Sequence, residues 1–112
     1  MAVIAVHPIT EKDLSAALIY GEIEYVNHRY VFDDELDGDD VPKAFLSKML
    51  KVVDQFDPDH DYLLIAGDHV QLLYMSALLA DRWGMFKVLR YDRKAGGYIV
   101  VQIKVGEDHN GH

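Results

Sequence analysis

Residues 62–91, YLLIAGDHVQLLYMSALLADRWGMFKVLRY, decide the fold. The first five form an unbroken apolar run closed by Gly67 and Asp68, the pattern of a strand buried on both faces. Asp68 can cap a helix and Gly84 can stop it, which predicts a helix over 69–83. A second β-rich run follows at 86–91. Strand, helix and strand in 30 residues make a crossover unit whose strands lie parallel, and such units are right-handed. The helix is apolar around most of its circumference, through Val70, Leu72, Leu73, Tyr74, Met75, Ala77, Leu78, Leu79, Ala80 and Trp83. It is expected to be heavily buried, with Leu73 and Leu78 central to the core, or to turn part of its outer face to another chain. If no second chain takes that face, residues 9–20 are expected to cover it.

Downstream, residues 93–97 hold two glycines suited to a turn, and 98–105 places Ile99, Val101, Ile103 and Val105 on one face of a strand. The two runs therefore close a C-terminal β-hairpin. Upstream, 42–56 is an amphipathic helix with Phe45, Leu46, Met49, Leu50, Val53 and Phe56 in one stripe. Asp39 or Asp40 can cap it, Pro42 suits its first turn, and Asp57-Pro58 ends it. Residues 2–6 read as a short strand ended by His7-Pro8, since the residue before proline stays extended. Residues 10–20 read as one or two helical turns, with Thr10 as cap and Gly21 as stop. Residues 22–26 alternate, with Ile23 and Tyr25 on one face, and Asn27-His28 suggests a hairpin to a second β-rich run at 29–32. The fold class is α/β, a small layered domain with a mixed sheet, a central β-α-β unit (62–91), an amphipathic helix (42–56) and the C-terminal hairpin. One domain spans 1–106 and a polar tail spans 107–112.

A chain of 112 residues is long enough to bury about two thirds of its unfolded surface without a disulfide or metal. It has no cysteine, which excludes thiolate nucleophiles and Cys-based zinc sites and fits a reducing compartment. Residues 1–7 lack a basic n-region and do not read as a signal peptide. The longest apolar stretch, 70–80, is interrupted by Gln71 and Ser76 and is too short to span a bilayer, which takes about 20 residues. Composition thus points to a soluble, cytoplasmic protein that binds no membrane.

Net charge is −8 but unevenly placed. Residues 1–81 hold 16 acidic and 5 basic side chains, a net of −11, whereas 82–104 hold 6 basic and 1 acidic, a net of +5. An acidic body with one basic edge is directional. The edge is Arg82, Lys87, Arg90, Arg93 and Lys94, with the aromatics Tyr91 and Tyr98 beside the turn. Arginine with aromatics can stack single-stranded bases, but the acidic body opposes that encounter. Arginine and tyrosine are also enriched at interface hot spots, which makes this set a candidate interaction surface for a protein partner.

The other candidate site is the turn Gly67-Asp68-His69. In open α/β sheets ligands sit beyond the carboxyl ends of strands, where a helix N-terminus offers free N–H groups. The turn has a single glycine and no P-loop lysine, and Asp68 puts a negative charge where a phosphate would sit. Asp68 has an ordinary alternative role as a helix cap. Residues 33–40 imitate a calcium loop with Asp33, Glu35, Asp37 and Gly38, but Ala44 stands where the bidentate Glu should be, so a solvated acidic loop is the better reading. The six histidines, at 7, 28, 60, 69, 109 and 112, are scattered, and His109 and His112 lie in the polar tail. No H-E-x-x-H or G-x-S-x-G motif occurs, so no catalytic residue, metal site or cofactor is assigned.

The segment Phe56-Asp57-Pro58, Asp61-Tyr62-Leu63 and Gly67-Asp68, followed by Val88-Leu89-Arg90-Tyr91-Asp92-Arg93 and Tyr98, resembles small uncharacterised bacteriophage-encoded α/β proteins. Ala17-Leu18 and Tyr20-Gly21-Glu22-Ile23 are similar to their N-terminal half. The resemblance implies a phage or prophage accessory protein acting in the host cytoplasm, and it implies no activity and no functional residues. The leading expectation is a non-enzymatic protein that forms a homo-oligomer and works by binding another protein. The alternatives are a small-ligand or nucleotide-binding domain using the Gly67 turn, and a minor virion component.

Overall fold

The computed structural model describes residues 1–9, 14–27 and 43–105. In chain order these form β1 (Ala2–Ala5), a 3₁₀ helix (Ser15–Tyr20), β2 (Glu22–Tyr25), α1 (Lys43–Gln55), β3 (Tyr62–Leu64), α2 (His69–Trp83), β4 (Met85–Asp92) and β5 (Gly97–Lys104). The five strands make one mixed sheet in the order β2-β1-β3-β4-β5. The three pairings among β1, β2, β3 and β4 are parallel, and β5 alone runs antiparallel, hydrogen-bonded to β4.

The apolar run at 62–66 is an interior strand because β1 and β4 flank it on both sides. Leu63 points to one face and Leu64 to the other, and both are fully buried. The buried stretch is shorter than the apolar run. Ile65 still donates its N–H to the Leu89 carbonyl at 2.9 Å, but its side chain is partly exposed as the chain leaves the sheet.

Leu63, Ala2, Ile4, Val6, Phe86 and Val88 face α1 and α2. α1 contributes Phe45, Met49 and Val53 and α2 contributes Leu72, Met75 and Leu79, each set at helical spacing. The indole Nε1–H of Trp83 donates to the Val53 carbonyl at 2.9 Å, and the Arg82 guanidinium lies 4.1 Å from the Trp83 ring centroid. These contacts join the C-terminal ends of the two helices. Val3, Ala5, Leu64, Ala66, Leu89 and Tyr98 face the other way, toward the 3₁₀ helix, where Ala17 is buried. From β1 the chain steps to β2 past the 3₁₀ helix on one face. It returns to β3 past α1 on the opposite face and in the opposite direction. Reversing both face and direction preserves the hand of the crossover, as sheet twist demands.

Two expectations are revised. Leu73 is 70% exposed, so it is not central to the core; the sheet-facing row of α2 runs Gln71, Leu72, Met75 and Leu79. The outer face of α2 is not covered by Ile9 or by residues 14–20, because these pack on the far side of the sheet. Among the described residues β2 pairs with β1 alone, in parallel. The proposed second arm at 29–32, the acidic loop 33–40, the caps Thr10, Asp39, Asp40 and Pro42, and the tail 107–112 lie outside the described residues.

Candidate functional site

β1, β2, β3 and β4 are parallel, so their carboxyl ends share one edge of the sheet. The chain moves outward from β1 to β2, then resumes on the other side of β1 with β3. The gap between β1 and β3 is therefore the topological switch point, where the crevice of such sheets opens. The candidate turn Gly67-Asp68-His69 sits at this place.

Gly67 has φ of 98°, a left-handed conformation that side chains resist. A Cβ there would lie 2.9 Å from Val6 Cγ2, 3.0 Å from His7 Nε2 and 3.1 Å from Ile9 Cδ1. The glycine thus lets the end of β3 close against the end of β1. Asp68 is the N-cap of α2: its Oδ2 accepts the Gln71 N–H at 2.9 Å. The Asp68 N–H in turn donates to His7 Nε2 at 3.1 Å. With its Nε2 lone pair used, the neutral imidazole carries its proton on Nδ1, which donates to the Pro8 carbonyl at 2.9 Å. His69 and Val70 are exposed at the first turn of the helix.

Among the described residues the buried polar side chains are His7, Asn27 and Gln71. All three lie at this edge. His7 follows β1, Asn27 follows β2 and donates its backbone N–H to the Val6 carbonyl at 3.1 Å, and Gln71 is in the first turn of α2. Among the described residues Asn27 Nδ2 and both side-chain polar atoms of Gln71 have no hydrogen-bond partner. Sequence reasoning missed all three. For Gln71 a signal existed, because it occupies the i−4 position of the row Met75 and Leu79 and so breaks an apolar face.

The basic set is divided between places. Arg82 lies on α2, reaches Asp54 on α1 at 3.6 Å and covers Trp83. Lys87 donates to the Asp59 carbonyl and lies 4.8 Å from the Tyr62 ring centroid. Tyr98 is buried, with the Tyr91 ring edge-on at 5.5 Å and its carbonyl accepting from Tyr20 Oη at 3.1 Å. Arg90, Tyr91, Arg93 and Lys94 remain exposed together at the far end of the β4–β5 hairpin.

At the opposite, amino edge of the sheet, Asp61 accepts the Ala2 and Asp57 N–H groups at 2.8 Å each, so its carboxylate ties β1 to the segment before β3. Asp57 accepts from His60 Nδ1 at 2.8 Å. That hydrogen bond, with a second from the Asp59 N–H, holds the Asp57 carboxyl below its ordinary 3.8. A cleft of about 280 Å³ lined by Ile4, Glu24, Val52, Phe56 and Asp61 opens beside it. Among the described residues no three His, Asp or Glu side chains converge as metal ligands, and no helix is long and apolar enough to cross a membrane.

The model of the family described as phage Pam3 gp32-like protein matches residues 5–105, from the end of β1 through β5. The chain belongs to the phage Pam3 gp32-like family. The resemblance of the 56–98 segment to small phage-encoded proteins is thereby accounted for, and the match takes in both the switch-point edge and the hairpin. No curated protein and no solved structure matches the chain.

Proposed function

We propose that this phage-family protein is a non-enzymatic accessory protein that acts in the host cytoplasm through protein–protein contact at the β5 edge, and first with a second copy of itself. One observation carries the reading: among the described residues β5 is an eight-residue edge strand with no element paired to its outer side. Its register with β4 runs uninterrupted from the Met85–Lys104 pair to the Asp92–Gly97 pair, so no bulge twists it away. It contains no proline and a single lysine at its end, and it exposes Val100 and Val101. Soluble proteins usually blunt such an edge with short strands, charges, prolines or a covering element.

The strand is also self-complementary. On the α1/α2 face it reads Ile99, Val101, Ile103, a palindrome about Val101. An antiparallel copy centred there sets Val101 beside its counterpart and Ile99 beside Ile103, with both sheets keeping the same face up.

Sedimentation at micromolar concentration tests this. The wild-type chain should be a dimer, and Val101→Lys should be a monomer with unchanged circular dichroism. A monomer for the wild type in both low and high salt overturns the reading. So does a dimer that survives Val101→Lys but is lost in Leu73→Ala, which would place the contact on the outer face of α2.

A further inference from the structure

We infer that the switch-point edge is a binding site for an uncharged nucleobase or nucleoside, read by the side-chain amides of Gln71 and Asn27. The inference rests on different residues from the β5 contact.

Buried polar atoms in folded proteins are almost always paired, and an orphan calls for an explanation. Here three orphan atoms belong to two carboxamides, both at least nine-tenths buried, and both stand at the edge where α/β sheets take ligands. The sheet-facing row of α2 is otherwise apolar, and a leucine or methionine at 71 would continue it at no cost in hydrogen bonds. The helix adds the backbone N–H groups of its exposed first turn, at His69 and Val70, which have no intrahelical acceptor.

The chemistry of these groups selects the ligand. A carboxamide offers a donor and an acceptor side by side, the complement of adjacent acceptor and donor atoms on a base edge, as when Gln or Asn reads adenine. Phosphate does not fit. The Asp68 carboxylate already caps Gln71 N–H, and it sets a negative charge where helix N-termini otherwise hold anions. The chain's net charge of −8 opposes anions as well. Gly67 and Asp68 are half-buried and His69 is exposed, so the site is approached from the helix start.

The test is an amide NMR titration of the ¹⁵N-labelled full chain with adenosine to several millimolar, and separately with inorganic phosphate. Adenosine should shift the Gln71 and Asn27 side-chain amide signals together with the backbone of 68–72, and phosphate should leave them in place. Gln71→Met, which removes the orphan atoms at similar volume, should keep the fold and abolish the adenosine shifts; Asn27→Ala should weaken binding at least several-fold. Adenosine shifts that are absent at Gln71, or that persist unchanged in Gln71→Met, overturn the assignment. A Gln71→Met chain that melts higher while the wild type ignores adenosine would show an internal polar pair with no ligand, and would overturn it equally.

Discussion

His7 Nε2 accepts the backbone N–H of Asp68 at 3.1 Å, so the first residue beyond Val6 holds the residue that caps α2. The bond spans 61 residues of sequence and fixes the imidazole with its proton on Nδ1. His7→Ala would leave the Asp68 N–H without its acceptor, and losing such a partner costs about 1–3 kcal/mol. Chemical denaturation should show a loss in that range, and ¹⁵N imidazole shifts should show Nε2 as the unprotonated nitrogen. A loss below about 0.5 kcal/mol, the size of an ordinary surface substitution, would mean the bond does not hold the turn.

Gly67→Ala should destabilise more than its small size suggests. The new Cβ would lie 2.9 Å from Val6 Cγ2 and 3.0 Å from His7 Nε2, on a backbone at φ of 98°. Positive φ and overpacking each cost about 1–3 kcal/mol. A melting temperature within a degree of wild type would show that the ends of β1 and β3 can separate freely.

The neighbours Leu72 and Leu73 separate inside from outside on α2. Leu72 is 8% exposed and packs under the sheet, whereas Leu73 is 70% exposed. Leu72→Ala should cost about 2–5 kcal/mol through lost burial and a cavity. Leu73→Ala should cost less than about 0.5 kcal/mol in the monomer. Equal losses at both positions would mean that α2 is rotated about its axis relative to this packing.

At the amino edge, the carboxyl of Asp57 is held below its ordinary value chiefly by the hydrogen bond from His60. A carboxyl depressed in the folded state adds stability that is present above its unfolded value and lost as pH falls through the folded one. Side-chain NMR titration should therefore find the Asp57 midpoint below 3.8, and His60→Ala should move it upward. No upward movement in that variant would assign the depression to the Asp59 N–H instead.

The local elements of this protein are legible in its sequence because each is decided by neighbours within a few residues. The unbroken run at 62–66, the cap Asp68 and the stop Gly84 announce a buried strand and the bounds of α2, and Gly84 does adopt a left-handed φ of 78°. The stripe through Phe45, Met49 and Val53 announces α1, and the paired runs around the 93–97 turn announce the hairpin. Which side of α2 is inside was not legible, because Leu72 and Leu73 are chemically identical. Only the sheet beneath the helix distinguishes them. The strand order β2-β1-β3-β4-β5 likewise comes from pairing between distant segments, and it is what gathers His7, Asn27 and Gln71 at one edge. Their positions in sequence share no spacing that a motif could capture. The basic set was legible as charge, but strand alternation sent Tyr98 into the core and Arg90 outside, while Arg93 and Lys94 lie exposed in the turn between β4 and β5. Local propensity therefore settled what the pieces are. Long-range packing settled which faces meet, because burial depends on the partner surface as much as on the residue.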